Sequence, residues 1–204
     1  MPRAALVSTG RYNPPRVMTN TDLEALVETN DEWIRTRTGI RERRIADAAT
    51  GAADMGAAAA RVALERAGIT PDEVDLILVS TATPDRLLPS TACDIQALLG
   101  AKNAGAYDFA TACSGFLYGL TMAEAHIAAG QAETVLVVCT EKMSSIVDWT
   151  DRTTCVLFGD GAGAAVVRRT EGERGILSSF LKSDGTLAEL LYRPAGGAKI
   201  PLDI

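Results

Sequence analysis

Apolar residues in this chain fall into short blocks, and the spacing inside each block changes from one to the next. Ala4 to Thr9 is a short apolar run ended by Gly10, which predicts a strand, and the Pro14-Pro15 pair behind it predicts an extended connection. Thr21 followed by Glu24 has the form of a capping box, with Leu23, Leu26 and Val27 as the apolar stripe of a short helix. Asp31 to Arg37 predicts another turn or two. Ala52 to Ala67 is rich in alanine and carries Gly68 where a helix C-cap belongs. Leu76-Ile77-Leu78-Val79, bounded by Pro71 and Pro84, is a continuous apolar run of the kind that forms a strand buried on both faces. Beyond it the pattern predicts a helix from Ser90 to Leu99 ended by Gly100, a strand from Ala106 to Phe109, a helix from Cys113 to Ala129 closed by Gly130, and a buried strand from Thr134 to Cys139.

Strand and helix thus alternate as β, α, β, α, β, α, β, the order of an α/β domain whose sheet is largely parallel and covered by helices. Cys155 to Phe158 and Ala164 to Val167 flank Gly159 to Gly163, which predicts a hairpin around a tight glycine turn. FGDGAGAAVV is not a dinucleotide loop, because the GxGxxG spacing is absent and the residues after it read as a strand. A further apolar run starts at Gly175 and reaches Phe180-Leu181, and the tail PAGGAKIPLDI has no period.

With 204 residues, 47% hydrophobic and 23% charged, the composition is that of a globular chain with one or two domains. A formal charge of -6 removes nonspecific attraction to nucleic acid or anionic membrane as the default. No apolar run approaches the length of about 20 residues that a membrane span needs. The N-terminus reads as a first strand rather than a secretory signal, so a cytoplasmic address is expected. Cys93, Cys113, Cys139 and Cys155 form no CxxC pair, so the expectation is free thiols, with neither a zinc site nor a disulfide framework.

Candidate chemistry begins at Tyr107 to Phe116, where Cys113 stands at the predicted junction of a buried strand and a helix. A thiol there feels the positive end of the helix macrodipole, and the small neighbours Ala110, Ala112, Ser114 and Gly115 would let a substrate carbonyl approach. On position alone Cys113 is a nucleophile or a buried structural cysteine. The other three cysteines read as packing residues. His126 cannot pair with Cys113 if one helix carries both, since thirteen residues at about 1.5 Å each put them roughly 20 Å apart. Arg35, Arg37, Arg41, Arg43 and Arg44 stand against one acid, Glu42, and Trp33 lies close by. Guanidinium forks suit phosphate and an indole offers a face for a base, so the segment reads as a site for a phosphorylated, base-bearing ligand or as a solvated charged loop.

Several motifs together resemble the β-ketoacyl-acyl-carrier-protein synthase III family, condensing enzymes of thiolase fold. They are TNTDLEALVETNDEWIRTRTGIRERRIA (19 to 46), STATPDRLLPSTACDIQALLG (80 to 100), DFATACSGFLYGL (108 to 120), DRTTCVLFGDGAGAAVV (151 to 167) and SDGTLAELL (183 to 191). The resemblance implies a thiolase-like α/β fold with a mixed, mostly parallel sheet and a buried nucleophile-bearing helix. It implies that Cys113 is the acylated nucleophile and that Trp33, Arg37 and Arg152 hold the adenine end of coenzyme A, with Thr29 nearby. Leu88 matches the position that reaches across a homodimer to wall the acyl pocket, and Leu157 and Phe158 match its inner lining. Acyl-CoA and malonyl-acyl carrier protein are then the substrates, with no cofactor, no metal and no nucleic acid or membrane partner. The family's catalytic histidine and asparagine find no match here. Residues 1–172 are therefore expected to be the N-terminal half and 173–204 the start of an incomplete C-terminal half, in a fragment or truncated gene product. A polyketide starter-type enzyme and a non-catalytic acyl-binding subunit are the alternatives.

Overall fold

The computed structural model describes residues 3–201; the outermost positions of the expected ranges 1–172 and 173–204 lie outside the described residues. Its strands are β1 (Arg3–Tyr12), β2 (Arg16–Thr19), β3 (Glu42–Ile45), β4 (Leu76–Ser80), β5 (Gly105–Phe109), β6 (Thr134–Lys142) and β7 (Asp160–Thr170). The α-helices are α1 (Asn20–Glu24), α2 (Asp31–Thr38), α3 (Ala52–Ala67), α4 (Thr91–Leu99) and α5 (Gly115–Ala128). A mixed sheet has the order β1-β7-β6-β4-β5. β4 pairs in parallel with β5 and β6, while β7 pairs antiparallel with β1 and β6, so all but β7 run one way.

The central strands are apolar at successive positions, Leu76–Val79 and Val135–Val138, because helices cover both faces of the sheet. Ile77, Val79, Leu136, Val138, Ala164 and Val166 face α3 and α4, and Leu78, Val135, Val137 and Val167 pack with Ala123 and Ile127 of α5 on the other side. Small residues set how near each helix comes. α3 buries Ala52, Ala53, Ala57, Ala59, Ala60 and Ala63. Opposite it, a Cβ on Gly10 would overlap the backbone of Ala59 and Ala63. Gly68 and Gly100 end α3 and α4 with φ of 67° and 74°, as the sequence predicts.

Elsewhere the structure departs from the pattern. β1 does not stop at Gly10 but runs to Tyr12, because Gly10 keeps its ladder partner Ala164 while admitting α3. The capping box is Thr19 with Asp22, whose carboxylate accepts from the Thr19 amide at 2.7 Å; Glu24 instead accepts from the Asp31 amide at 3.0 Å. Leu23 is buried, but Leu26 is 51% exposed beyond the end of α1. The predicted hairpin is absent. Residues 155–157 belong to a turn rather than a strand, and 160–163 of the glycine segment are the start of β7, held extended between β1 and β6. Cys155 and Val156 are apolar because they pack with Leu23 and Ile34 under α1 and α2. Arg43 leaves the expected cationic cluster: it is buried, bonding Asn20 Oδ1 at 2.9 Å and the Val156 carbonyl at 3.1 Å. Beyond β7 the described residues form no strand, and a bond from the Ile176 amide to the Ala4 carbonyl at 2.8 Å ties the segment to the sheet.

Because backbone atoms of α3 occupy the space beside Gly10, Gly10→Ala lowers the unfolding free energy by about 1–3 kcal/mol. Urea denaturation reads the change, and an unchanged midpoint contradicts this packing.

Candidate active site

The chain leaves β5, makes one 3-10 turn over Ala112–Ser114 and enters α5 at Gly115. Cys113 sits in that turn, before the helix rather than in its first residue, and is exposed. Ala112 has φ of +45° and is the only non-glycine residue with positive φ among the described residues. Such a conformation costs an alanine about 1–2 kcal/mol and tends to mark functional turns. The expected buried helix holds for one face of α5: Gly115, Gly119, Ala123 and Ile127 are buried at i, i+4 spacing, while Leu117 is 63% exposed. A Cβ on Gly115 would overlap the Ser80 side chain, so the start of α5 lies directly against the end of β4. His126 lies near the opposite end of α5, where its ring nitrogens bond Tyr107 Oη at 3.0 Å and Gln131 Oε1 at 2.9 Å.

The aromatic and cationic residues do meet. Asn30 caps α2, its Oδ1 accepting from the Trp33 amide at 2.7 Å, and one turn later Arg37 lays its guanidinium carbon 4.5 Å from the Trp33 ring centroid. Arg152 approaches the same ring to 5.5 Å and donates to the Glu28 carbonyl at 2.8 Å. Next to Glu28, the buried Thr29 Oγ1 has no partner among the described residues. The remaining arginines divide. Arg35 bonds Asp31 at 3.2 Å and Arg44 bonds Glu42 at 3.2 Å, so the run of charge in the sequence is not one patch.

The expected acyl-pocket residues are not brought together. Leu88 is 84% exposed on the loop before α4, Leu157 is 46% exposed, and Phe158 is half-buried. What borders the start of α5 is instead an apolar hollow of about 290 Å³ lined by Thr9, Gly10, Phe116, Cys139, Gly163 and Ala164. The glycines of β1 and β7 were the available signal for it, and they read as turn residues in the sequence. Burial and the nearby Glu141 carboxylate push the Cys139 thiol up to about 11, and burial raises Cys155 as well. Both remain thiols near neutral pH.

The profile of the 3-oxoacyl-(acyl-carrier-protein) synthase III family matches residues 107–185, from Tyr107 through the Cys113 turn and β7. The β-ketoacyl-(acyl-carrier-protein) synthase III of Caldanaerobacter subterraneus is 52% identical over 97% of this chain and 60% of its own length. Among solved structures, the 3-oxoacyl-(acyl-carrier-protein) synthase III of Pseudomonas aeruginosa superposes with a TM-score of 0.90 at 39% identity, over 97% of this chain and 62% of that one. The priming β-ketosynthase of a polyketide biosynthetic pathway gives 0.80 at 43% identity, over 82% of this chain and 50% of that one. The fold is accordingly thiolase-like. Over the residues it shares with them, the chain is similar throughout to members of the β-ketoacyl-(acyl-carrier-protein) synthase III family. It spans about three fifths of the length of the curated relatives it matches.

Exposure and protonation together order the thiols. With iodoacetamide below stoichiometry at pH 8, peptide mapping finds Cys113 modified first. Cys139, raised to about 11, holds only about one thiolate per thousand molecules at that pH. Labelling of Cys139 or Cys155 ahead of Cys113 contradicts the geometry.

Proposed function

We propose that this chain carries the acyl-accepting part of a β-ketoacyl-acyl-carrier-protein synthase III, which primes itself from acyl-CoA and condenses the acyl group with malonyl-acyl carrier protein. The observation that supports it most is the meeting of Trp33, Arg37 and Arg152 at one indole, the last about three-fifths of the chain away from the first and held by a bond that spans 124 residues to Glu28. One flat ring with two guanidinium groups suits adenine and phosphate together. In this reading Thr29 is the nearby polar contact.

The Cys113 thiolate attacks the thioester carbonyl. A bond forms between its sulfur and the acyl carbon, the bond from that carbon to the CoA sulfur breaks, and CoA leaves as a thiolate that takes up a proton. Malonyl on the carrier protein then loses CO2. The electron pair released forms an enolate carbon that attacks the acyl-enzyme, and the Cys113 thiolate is expelled. His126, bonded to Tyr107 and Gln131 near the far end of α5 and about 20 Å from Cys113 along the helix, does not polarise the malonyl thioester. Leu88, Leu157 and Phe158 border the acyl chain, Leu88 from the second copy of a homodimer. The priming β-ketosynthase among the structural relatives favours a second reading, the same chemistry with a polyketide starter.

Incubation with short acyl-CoA adds the mass of one acyl group to the chain, and Cys113→Ala abolishes the adduct. Trp33→Ala weakens the apparent affinity for acyl-CoA about tenfold while leaving iodoacetamide labelling of Cys113 unchanged. A Cys113→Ala variant that still gains the acyl group, or an unmodified chain that never does, overturns the proposal and favours an acyl-binding role without catalysis.

A further inference from the structure

The loop from β4 to α4, residues 81–90, presents Leu87 and Leu88 at 79% and 84% exposure, yet the chain is fastened on both sides of them. At its start the Glu141 carboxylate accepts from the Ala82 amide at 2.8 Å and from Thr83 Oγ1 at 2.7 Å. In its middle Asp85 reaches across to the first turn of α3, accepting from the Ala52 amide at 2.7 Å and the Ala53 amide at 3.0 Å. Arg86 pairs with Asp94 of α4. At its end Asp108 of β5 accepts from the amides of Thr91 and Ala92, both at 2.7 Å. Gly51, the residue before α3, has no side chain with which to cap it, and a Cβ there would overlap the Asp85 carboxylate. Asp85 therefore supplies the cap from a distant loop, and glycine at position 51 makes room for it.

Two exposed leucines on a slack connection would be mobile, with no fixed place to offer a ligand. Held by carboxylates on three elements, the same leucines form a preorganised apolar finger. We propose that Asp85, supported by Asp108, is a positioning residue: it fixes where Leu88 stands, so acyl-chain selectivity depends on a carboxylate that touches no substrate. The proposal rests on the reading above in which Leu88 walls the acyl site.

Two readouts on the same proteins test it, using Leu88→Ala, Asp85→Ala and Gly51→Ala. Asp75→Ala is the control, since Asp75 makes comparable bonds to the amides of Glu133 and Thr134 at 2.8 and 2.9 Å, away from the loop. Amide exchange of the peptide 82–90 rises by about fivefold in Asp85→Ala and in Gly51→Ala, the population change expected for one lost helix cap, and does not rise in Asp75→Ala. The double variant Gly51→Ala with Asp85→Ala exchanges no faster than either single one, because both remove the same bonds. The ratio of octanoyl to acetyl transfer from CoA onto Cys113 shifts about threefold or more in Asp85→Ala, in the same direction as in Leu88→Ala. Unchanged exchange in Asp85→Ala overturns the positioning role, as does a ratio that moves in Leu88→Ala alone. If the unmodified chain forms no adduct, the functional reading fails and the selectivity role with it, while the exchange result still decides whether Asp85 holds the loop.

Discussion

Everything at the candidate site depends on how closely α5 lies against the sheet. Gly115 rests where a methyl group would collide with Ser80, and Gly119 rests where one would collide with Val137 and Phe109. With Ala123 and Ile127 completing the stripe, the helix axis is drawn toward β4 and β6, and its N-terminal turn is drawn to the carboxyl end of β4. The left-handed Ala112 just before it turns the chain sharply out of β5, so that Cys113 is left at the surface rather than folded under the helix. A thiol so held stands before the positive end of α5 with open space in front of it, the neighbouring Ser114 and Gly115 amides being bonded within the turn to the Thr111 and Ala112 carbonyls.

A second constraint is the use of carboxylates to fasten loops. Asp75, Asp85, Asp108 and Asp160 each accept bonds from two backbone amides on another part of the chain. Asp160, buried at the head of β7, holds the Ala46 amide at 2.8 Å and the Ser144 amide at 2.8 Å, joining the end of β3 to the turn after β6. Part of the acidity that in composition argues only against polyanion binding is thus structural. These ties leave the core strands to hydrophobic burial and assign the loop positions to charge-assisted hydrogen bonds.

The repeating elements were legible in the sequence because each satisfies a local rule. α3 and α4 end at glycines that are left-handed, and β4 is apolar from Leu76 to Val79 because both its faces are covered. The strand-to-helix junction bearing Cys113 and the nearness of Trp33 to the arginine run were also legible. What was not legible came from contacts distant in sequence. Cys155 and Val156 look like a strand but are apolar to fill the space under α1 and α2. Gly161 and Gly163 look like a turn but lie in a strand paired on both sides. Arg43 looks like its neighbours in an arginine run, yet it alone is buried and bonded to Val156, 113 residues away. Asp85 looks like an ordinary loop acid, and only the position of α3 gives it a function.

The close seating of α5 is tested most directly by acyl transfer from acyl-CoA to Cys113 in Gly115→Ala, followed by intact mass on protein whose fold is checked by circular dichroism. The account predicts a folded variant whose Cys113 accepts the acyl group far more slowly than the unmodified chain, because the added methyl group pushes the helix start off Ser80. A folded Gly115→Ala chain that is acylated at the original rate would contradict it.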